Sequence, residues 1–182
     1  MKIFLTLLLI LNFSQNSFSQ TRSNNYIYTN TANEDTIAII KYAEFSRHLI
    51  GSNIDSAYYY ANLVLALSEK LNYKIGEIKG LNCIGAIYKA LNEYSKAIEY
   101  FSLVVEKSKK INYVKGVAAG EANIGGIYGM RGENRKAIEY SFKSLRLIES
   151  NQDTENIPFI LGQISGCYLK LNCLTSNQCV PN

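Results

Sequence analysis

Tryptophan is absent from the 182 residues, proline occurs twice and histidine once. Scarce proline suits a mostly helical chain, because its ring breaks helix interiors. A lone histidine leaves a His-based triad or metal cluster with one candidate, His48. An excess of one charge is also lacking: 19 Lys and Arg face 15 Asp and Glu, and the two signs alternate along the chain. Such patterning reads as solvated helix faces. Nucleic-acid binding would want a basic stripe, and none is visible. No apolar run approaches the roughly 20 residues that span a bilayer. What is present is 47% hydrophobic residues with 14 tyrosines and no long Pro/Gly or polar tract. That composition fills a core, and the length suits one domain.

The first 19 residues have a three-part layout: basic Met1-Lys2, the apolar run Ile3–Phe13, and a small polar stretch with Ser17 and Ser19. This predicts a signal peptide cleaved before Gln20 and export to the periplasm or beyond, with no stable membrane span in the mature chain. The Phe-Ser-Gln ending resembles signal peptides of the Bacteroidetes group. Removing the segment takes away one lysine and no acid, leaving a mature charge of +3. Residues 20–34 are expected to be irregular.

Of four cysteines, Cys83 sits in an apolar stretch and reads as a buried free thiol. Cys167, Cys173 and Cys179 crowd the C-terminus, where an oxidising compartment would permit a bridge. Cys173–Cys179 is the favoured pair, because both lie in the polar tail 172–182. The spacing does not match a zinc site, and no cofactor is expected.

A repeat dominates the rest. Ile84-Gly85-Ala86-Ile87-Tyr88 recurs as Ile124-Gly125-Gly126-Ile127-Tyr128, and Lys96-Ala97-Ile98-Glu99-Tyr100 as Lys136-Ala137-Ile138-Glu139-Tyr140. Ala57 and Tyr60 precede, and Ile164 and Tyr168 follow, at the same offset of 40. Each unit reads as two helices, with Gly51-Ser52-Asn53, Asn72, Asn92, Asn112 and Gly132 marking helix ends. The spacing predicts units over 36–73, 76–113 and 116–151 and a half unit over 156–171, together a repeat domain over 35–171. Gly85 and Gly125 are expected to face Ala97 and Ala137, with Tyr88 and Tyr128 beside them. One helix pair cannot bury its apolar face alone, so neighbouring pairs stack.

At Leu81, Ile84-Gly85, Tyr88, Ala97, Phe101 and Val104 the chain resembles the tetratricopeptide (TPR) repeat family. Ile124-Gly125, Tyr128, Ala137 and Ser141 repeat the match more weakly, and the first unit puts Phe45 where glycine is expected. The family's terminal proline is missing, and the period exceeds the usual 34 residues. The resemblance is to a longer-helix bacterial variety. It implies an all-α, right-handed superhelical solenoid of antiparallel helix pairs that binds a protein or peptide in a concave groove lined by the first helix of each pair.

Family positions facing that groove map to Ile39, Tyr42, Ser46, Lys79, Asn82, Cys83, Ala86, Lys89, Ala119, Ala122, Asn123, Gly126, Met130, Phe159, Gln163 and Lys170. Lys79, Asn82, Lys89, Asn123, Met130 and Gln163 form the candidate peptide-binding site. An amide both donates and accepts, so Asn82, Asn123 and Gln163 suit a ladder holding an extended peptide backbone; they equally suit local capping or water binding. Lys79 and Lys89 favour acidic groups. The paired clamp of some relatives is not carried over, since Ala119, Ala122 and Gly129 occupy its places in the third unit. Catalysis finds no acid/base or metal constellation. His48, the counterpart of Tyr88, is expected to pack, and the glycines at 125, 126, 129 and 132 match no phosphate-binding motif. A non-enzymatic chain is therefore expected.

Ile157–Leu171 reads as a first helix without its partner, so an apolar face is left to act as a cap or to meet another chain in self-association. Two readings follow: a stand-alone extracytoplasmic interaction module, or the sensory region of a truncated signalling protein such as a histidine kinase or transcription regulator.

Overall fold

The computed structural model describes residues 35–151 and 156–176, and side chains as far as residue 172. The expected signal peptide, the irregular 20–34 segment and Cys179 lie outside these residues, as does the side chain of Cys173. The chain divides into an N-terminal unit, Met1–Ala38, of which 35–38 are described, and a unit from Ile39 onward that holds the repeats.

Seven helices and no strand occur among the described residues: α1 (35–49), α2 (Ile54–Lys70), α3 (Lys74–Ala90), α4 (Tyr94–Lys110), α5 (Val114–Met130), α6 (Asn134–Ser150) and α7 (Ile157–Ser176). The architecture is an all-α solenoid of stacked antiparallel pairs, each helix packing on the next in sequence. Every helix from α2 to α6 has 17 residues. The 40-residue repeat is thus two equal half-periods of helix plus a three-residue turn.

One turn geometry serves four times. Asn72, Asn92, Asn112 and Gly132 all have positive φ, between 50° and 77°. After each, a backbone N–H returns to the preceding helix: Tyr73 to Ser68 O at 2.8 Å, Glu93 to Tyr88 O at 2.9 Å, Tyr113 to Ser108 O at 2.8 Å and Glu133 to Tyr128 O at 2.9 Å. These are Schellman closures, which satisfy carbonyls the helix end leaves unpaired. The link after α1 differs. Gly51 is not left-handed, and the Asn53 side chain instead caps α2 by accepting from the Ser56 N–H at 2.9 Å. Pro158 stands in the first turn of α7, where a missing N–H costs nothing.

Small residues set the helix spacing, Gly125 against Ala137 as the sequence pairs them but Gly85 against Phe101. A Cβ on Gly85 would lie 2.8 Å from the Phe101 ring, and one on Gly125 would lie 3.1 Å from the Ala137 carbonyl and the Ser141 hydroxyl. Gly85 therefore makes room for Phe101 rather than for Ala97. Phe101 is wholly buried with Ala97, Ile124 and Ile127, joining α4 to α5. Flanking clusters extend the core, one built on Ile39, Ala61, Val64 and Ile87, the other on Ala122, Leu145, Ile148 and Ile160. Tyr88 stacks on Tyr100 and Tyr128 on Tyr140, both at 5.4 Å. His48, at the Tyr88 position of the first unit, is exposed instead of packed. Tyr42 takes over that role by stacking on Tyr60 at 5.8 Å.

The last helix runs to Ser176, beyond the expected end at Leu171, because Cys173 and Leu174 continue an apolar sequence with no breaker. The start of the tail is therefore helical. Phe159, Leu161, Tyr168 and Leu169 of α7 are exposed. No helix among the described residues is long and apolar enough to cross a membrane.

Candidate functional site

The first helices of the pairs lie side by side, with α3 touching α5 and α5 touching α7. Together with α1 they line a groove of about 640 Å³. Lys79, Asn82 and Lys89 reach it from α3, and Asn123 from α5. Cys83, Ala86, Ala119, Ala122 and Phe159 complete the part of the lining that the sequence anticipates. Helical periodicity explains the set: 79, 82, 83, 86 and 89 share one face of α3.

Met130 and Gln163 do not line this groove. Met130 ends α5, mostly exposed, past the groove's edge. Gln163 accepts from the Ser141 hydroxyl at 3.3 Å, and its Nε2 lies 3.0 Å from where a Cβ on Gly126 would stand. The side chain thus fills the space above Gly126 and closes that half of the groove. The opening that remains between α5 and α7 is at their N-terminal halves, which leaves Gly126 and Lys170 outside it.

On α1 the lining is Ile40, Ala43, Glu44 and Arg47, with Ile50 in the turn that follows. This face is turned by about one residue from the expected Ile39, Tyr42 and Ser46. Ile39 and Ser46 are wholly buried. The Ser46 hydroxyl donates to Ala57 O of α2 at 2.8 Å, and Tyr42 is held by its stack on Tyr60. Those two contacts, with the burial of Ile39, commit the expected face to the core. Arg47, Lys115 and Asn156 join the lining without having been singled out in the sequence. Lys115 carries a weak signal, its place in the first turn of α5 beside Gly116.

Among the described residues the groove lining is electrostatically one-sided: Arg47, Lys79 and Lys89 face one carboxylate, Glu44. Lys79 and Lys89 have no ion-pair partner among the described residues, and burial pulls the Lys89 ammonium below its ordinary pKa. Cys83 gives no nucleophile. It is buried, it donates weakly to Ala43 O at 3.5 Å, and desolvation raises its thiol pKa more than Ser46, Arg47 and Lys79 lower it. Such a thiol is inert.

Two amides meet across the groove floor. Asn123 Nδ2 donates to Asn82 Oδ1 at 3.1 Å. The pair holds itself in place, and one donor (Asn82 Nδ2) and one acceptor (Asn123 Oδ1) are left without partners among the described residues. That complement matches the C=O and N–H of one extended residue, which point the same way. Among the described residues no group of three or more His, Cys, Asp and Glu is placed to hold a metal ion.

No family model and no curated protein sequence matches the chain. Solved structures do. The crystal structure of the apo form of RapI is similar over 73% of this chain, with a TM-score of 0.61 and 22% identity. The crystal structure of the TPR domain of Arabidopsis FLU is similar over 64% of this chain and 98% of its own, with a TM-score of 0.54 and 21% identity. The chain spans half the length of RapI. These likenesses show the fold, a helical solenoid of the tetratricopeptide type.

Proposed function

We propose, with the tetratricopeptide-type fold as premise, that this chain is an extracytoplasmic protein-interaction module that holds an extended peptide segment in the groove of α1, α3, α5 and α7. It acts by binding and not by turnover. The observation that carries this reading is the Asn82–Asn123 pair. Its free donor and acceptor stand on the floor of an open groove, where a peptide C=O and N–H can pair with them. The three-part N-terminal layout supports export. Fractionation of the source cells with an antibody to the repeat domain checks it, and recovery in the cytoplasm at full length would overturn it.

A second reading, the sensory region of a larger signalling protein, is favoured by one observation: the chain matches half of RapI. An in-frame continuation in the genomic DNA supports it, and a stop codon after Asn182 removes it.

The groove reading is tested by selecting a phage-displayed random peptide library on the protein from Gln20 onward. The selected peptides are then titrated against wild type and Ala119→Trp. Ala119 is exposed on the groove, so the indole fills the opening without entering the core. Loss of binding in the variant, with helical circular dichroism unchanged, supports the groove. Equal binding by both proteins overturns it.

A further inference from the structure

The groove carries two chemistries side by side, and their order across the helices specifies a ligand more narrowly than peptide binding alone. Lys79, Ala119 and Phe159 stand 40 residues apart, at the same level of α3, α5 and α7, and all three line the groove. Crossing at that level, a ligand meets an ammonium, then a gap left by a methyl group, then an aromatic ring. Ala118 and Ala122 widen the apolar floor beside Ala119. Phe159 is 60% exposed, although it faces a cavity. An aromatic side chain so uncovered at the wall of a groove is an unfilled contact.

The other side is cationic. Lys89 is half-buried on the same helix as Lys79. Burial disfavours its charge, and no carboxylate of the described residues pairs with it. A cation kept desolvated and unpaired costs stability, and an incoming carboxylate would recover that cost. Among the described lining residues Glu44 is the one carboxylate, set against Arg47, Lys79 and Lys89.

Resting on the reading of the groove as a peptide site, we propose that the preferred ligand is a peptide segment in which an acidic side chain and a large apolar side chain are both displayed, the carboxylate over Lys79 and Lys89 and the apolar group over Ala119 against Phe159. The geometry sets the spacing. Packed helices lie about 8–10 Å apart, so α3 and α7 are separated by roughly twice that. An extended chain advances about 3.3 Å per residue. Once the reach of the lysine is allowed for, the two groups fall about three to five residues apart in the ligand. The amide pair then holds the backbone between them.

The random-peptide selection reads this out directly, using only peptides whose binding is lost in Ala119→Trp. Enrichment of Asp or Glu three to five positions from Phe, Leu, Ile or Met is the expected result. Lys79→Gln with Lys89→Gln should weaken those peptides about tenfold or more, and added salt should weaken them for wild type but less for the variant. Phe159→Ala should weaken them without changing the salt dependence. Groove-dependent peptides with no acidic enrichment, or with affinities unmoved by the lysine substitutions, overturn the proposal and leave the groove itself standing. Failure to select any Ala119-dependent peptide removes both the proposal and the reading beneath it.

Discussion

Asn123 Nδ2 donates to Asn82 Oδ1 at 3.1 Å, joining two repeats through side chains 41 residues apart, one more than the repeat period. The mismatch has a consequence. Residues in phase at offset 40 sit above one another on neighbouring helices. A pair offset by 41 leans across the seam between α3 and α5, and each amide fixes the rotamer of the other. The bond should register in stability as well as in binding. A double-mutant cycle of Asn82→Ala and Asn123→Ala, followed by urea unfolding, is expected to give a coupling of about 0.5–1.5 kcal/mol. Strict additivity would show that the bond adds nothing to the fold.

Gly85 has Phe101 where a Cβ would go, at 2.8 Å, and the ring is wholly buried and has nowhere to swing. Gly85→Ala should destabilise the chain by about 1–3 kcal/mol. Phe101→Leu in the same chain should recover part of that loss. Gly162 is the control. Nothing lies within 4 Å of its would-be Cβ, so Gly162→Ala should stabilise α7 by up to about 1 kcal/mol. Thermal melts of the variants check both signs.

The left-handed turn residues predict a clean contrast. Asn92 has φ 60°. Asn92→Gly should be close to neutral, since glycine adopts that conformation freely. Asn92→Val should cost about 1–2 kcal/mol, because a branched side chain clashes there. Chemical denaturation distinguishes them.

Glu121 supplies a pH test. Its Oε2 is buried without a partner among the described residues. Burial raises its pKa; Lys143 and Lys109 draw it back, and Glu139 pushes it further up. Below the ordinary carboxylate range the group is protonated in folded and unfolded chains alike. As pH rises through that range the unfolded chain ionises first, so stability is lost until the folded carboxyl also ionises. Glu121→Gln should therefore melt roughly one to three degrees higher at neutral pH and match wild type near about pH 3. A constant difference at all pH values would contradict this.

Much of the fold is legible in the sequence because it is periodic. The 40-residue offset names the helices, and Asn72, Asn92, Asn112 and Gly132 mark a half-period of 20 by a conformation that few side chains tolerate. The groove is legible where the repeat has neighbours on both sides, at Lys79, Asn82, Lys89 and Asn123. It fails at the ends. At α1 the contacts with α2 through Ser46 and Tyr42 turn a different face, with Arg47, toward the opening. At the other end Gln163 is in phase with Asn123, yet Ser141 stands where the previous unit has Phe101. The smaller residue lets Gln163 bond inward and seal the space over Gly126. Which neighbour is small is a pairwise fact that periodicity does not record.

The most direct test of the account is a crystal structure of the protein bound to one Ala119-dependent peptide. The account predicts an extended chain lying across α3 and α5, with a backbone C=O within hydrogen-bond distance of Asn82 Nδ2 and an N–H within the same reach of Asn123 Oδ1. A peptide seated elsewhere, such as on the exposed Tyr168 and Leu169 face of α7, with the groove still filled by water, would contradict it.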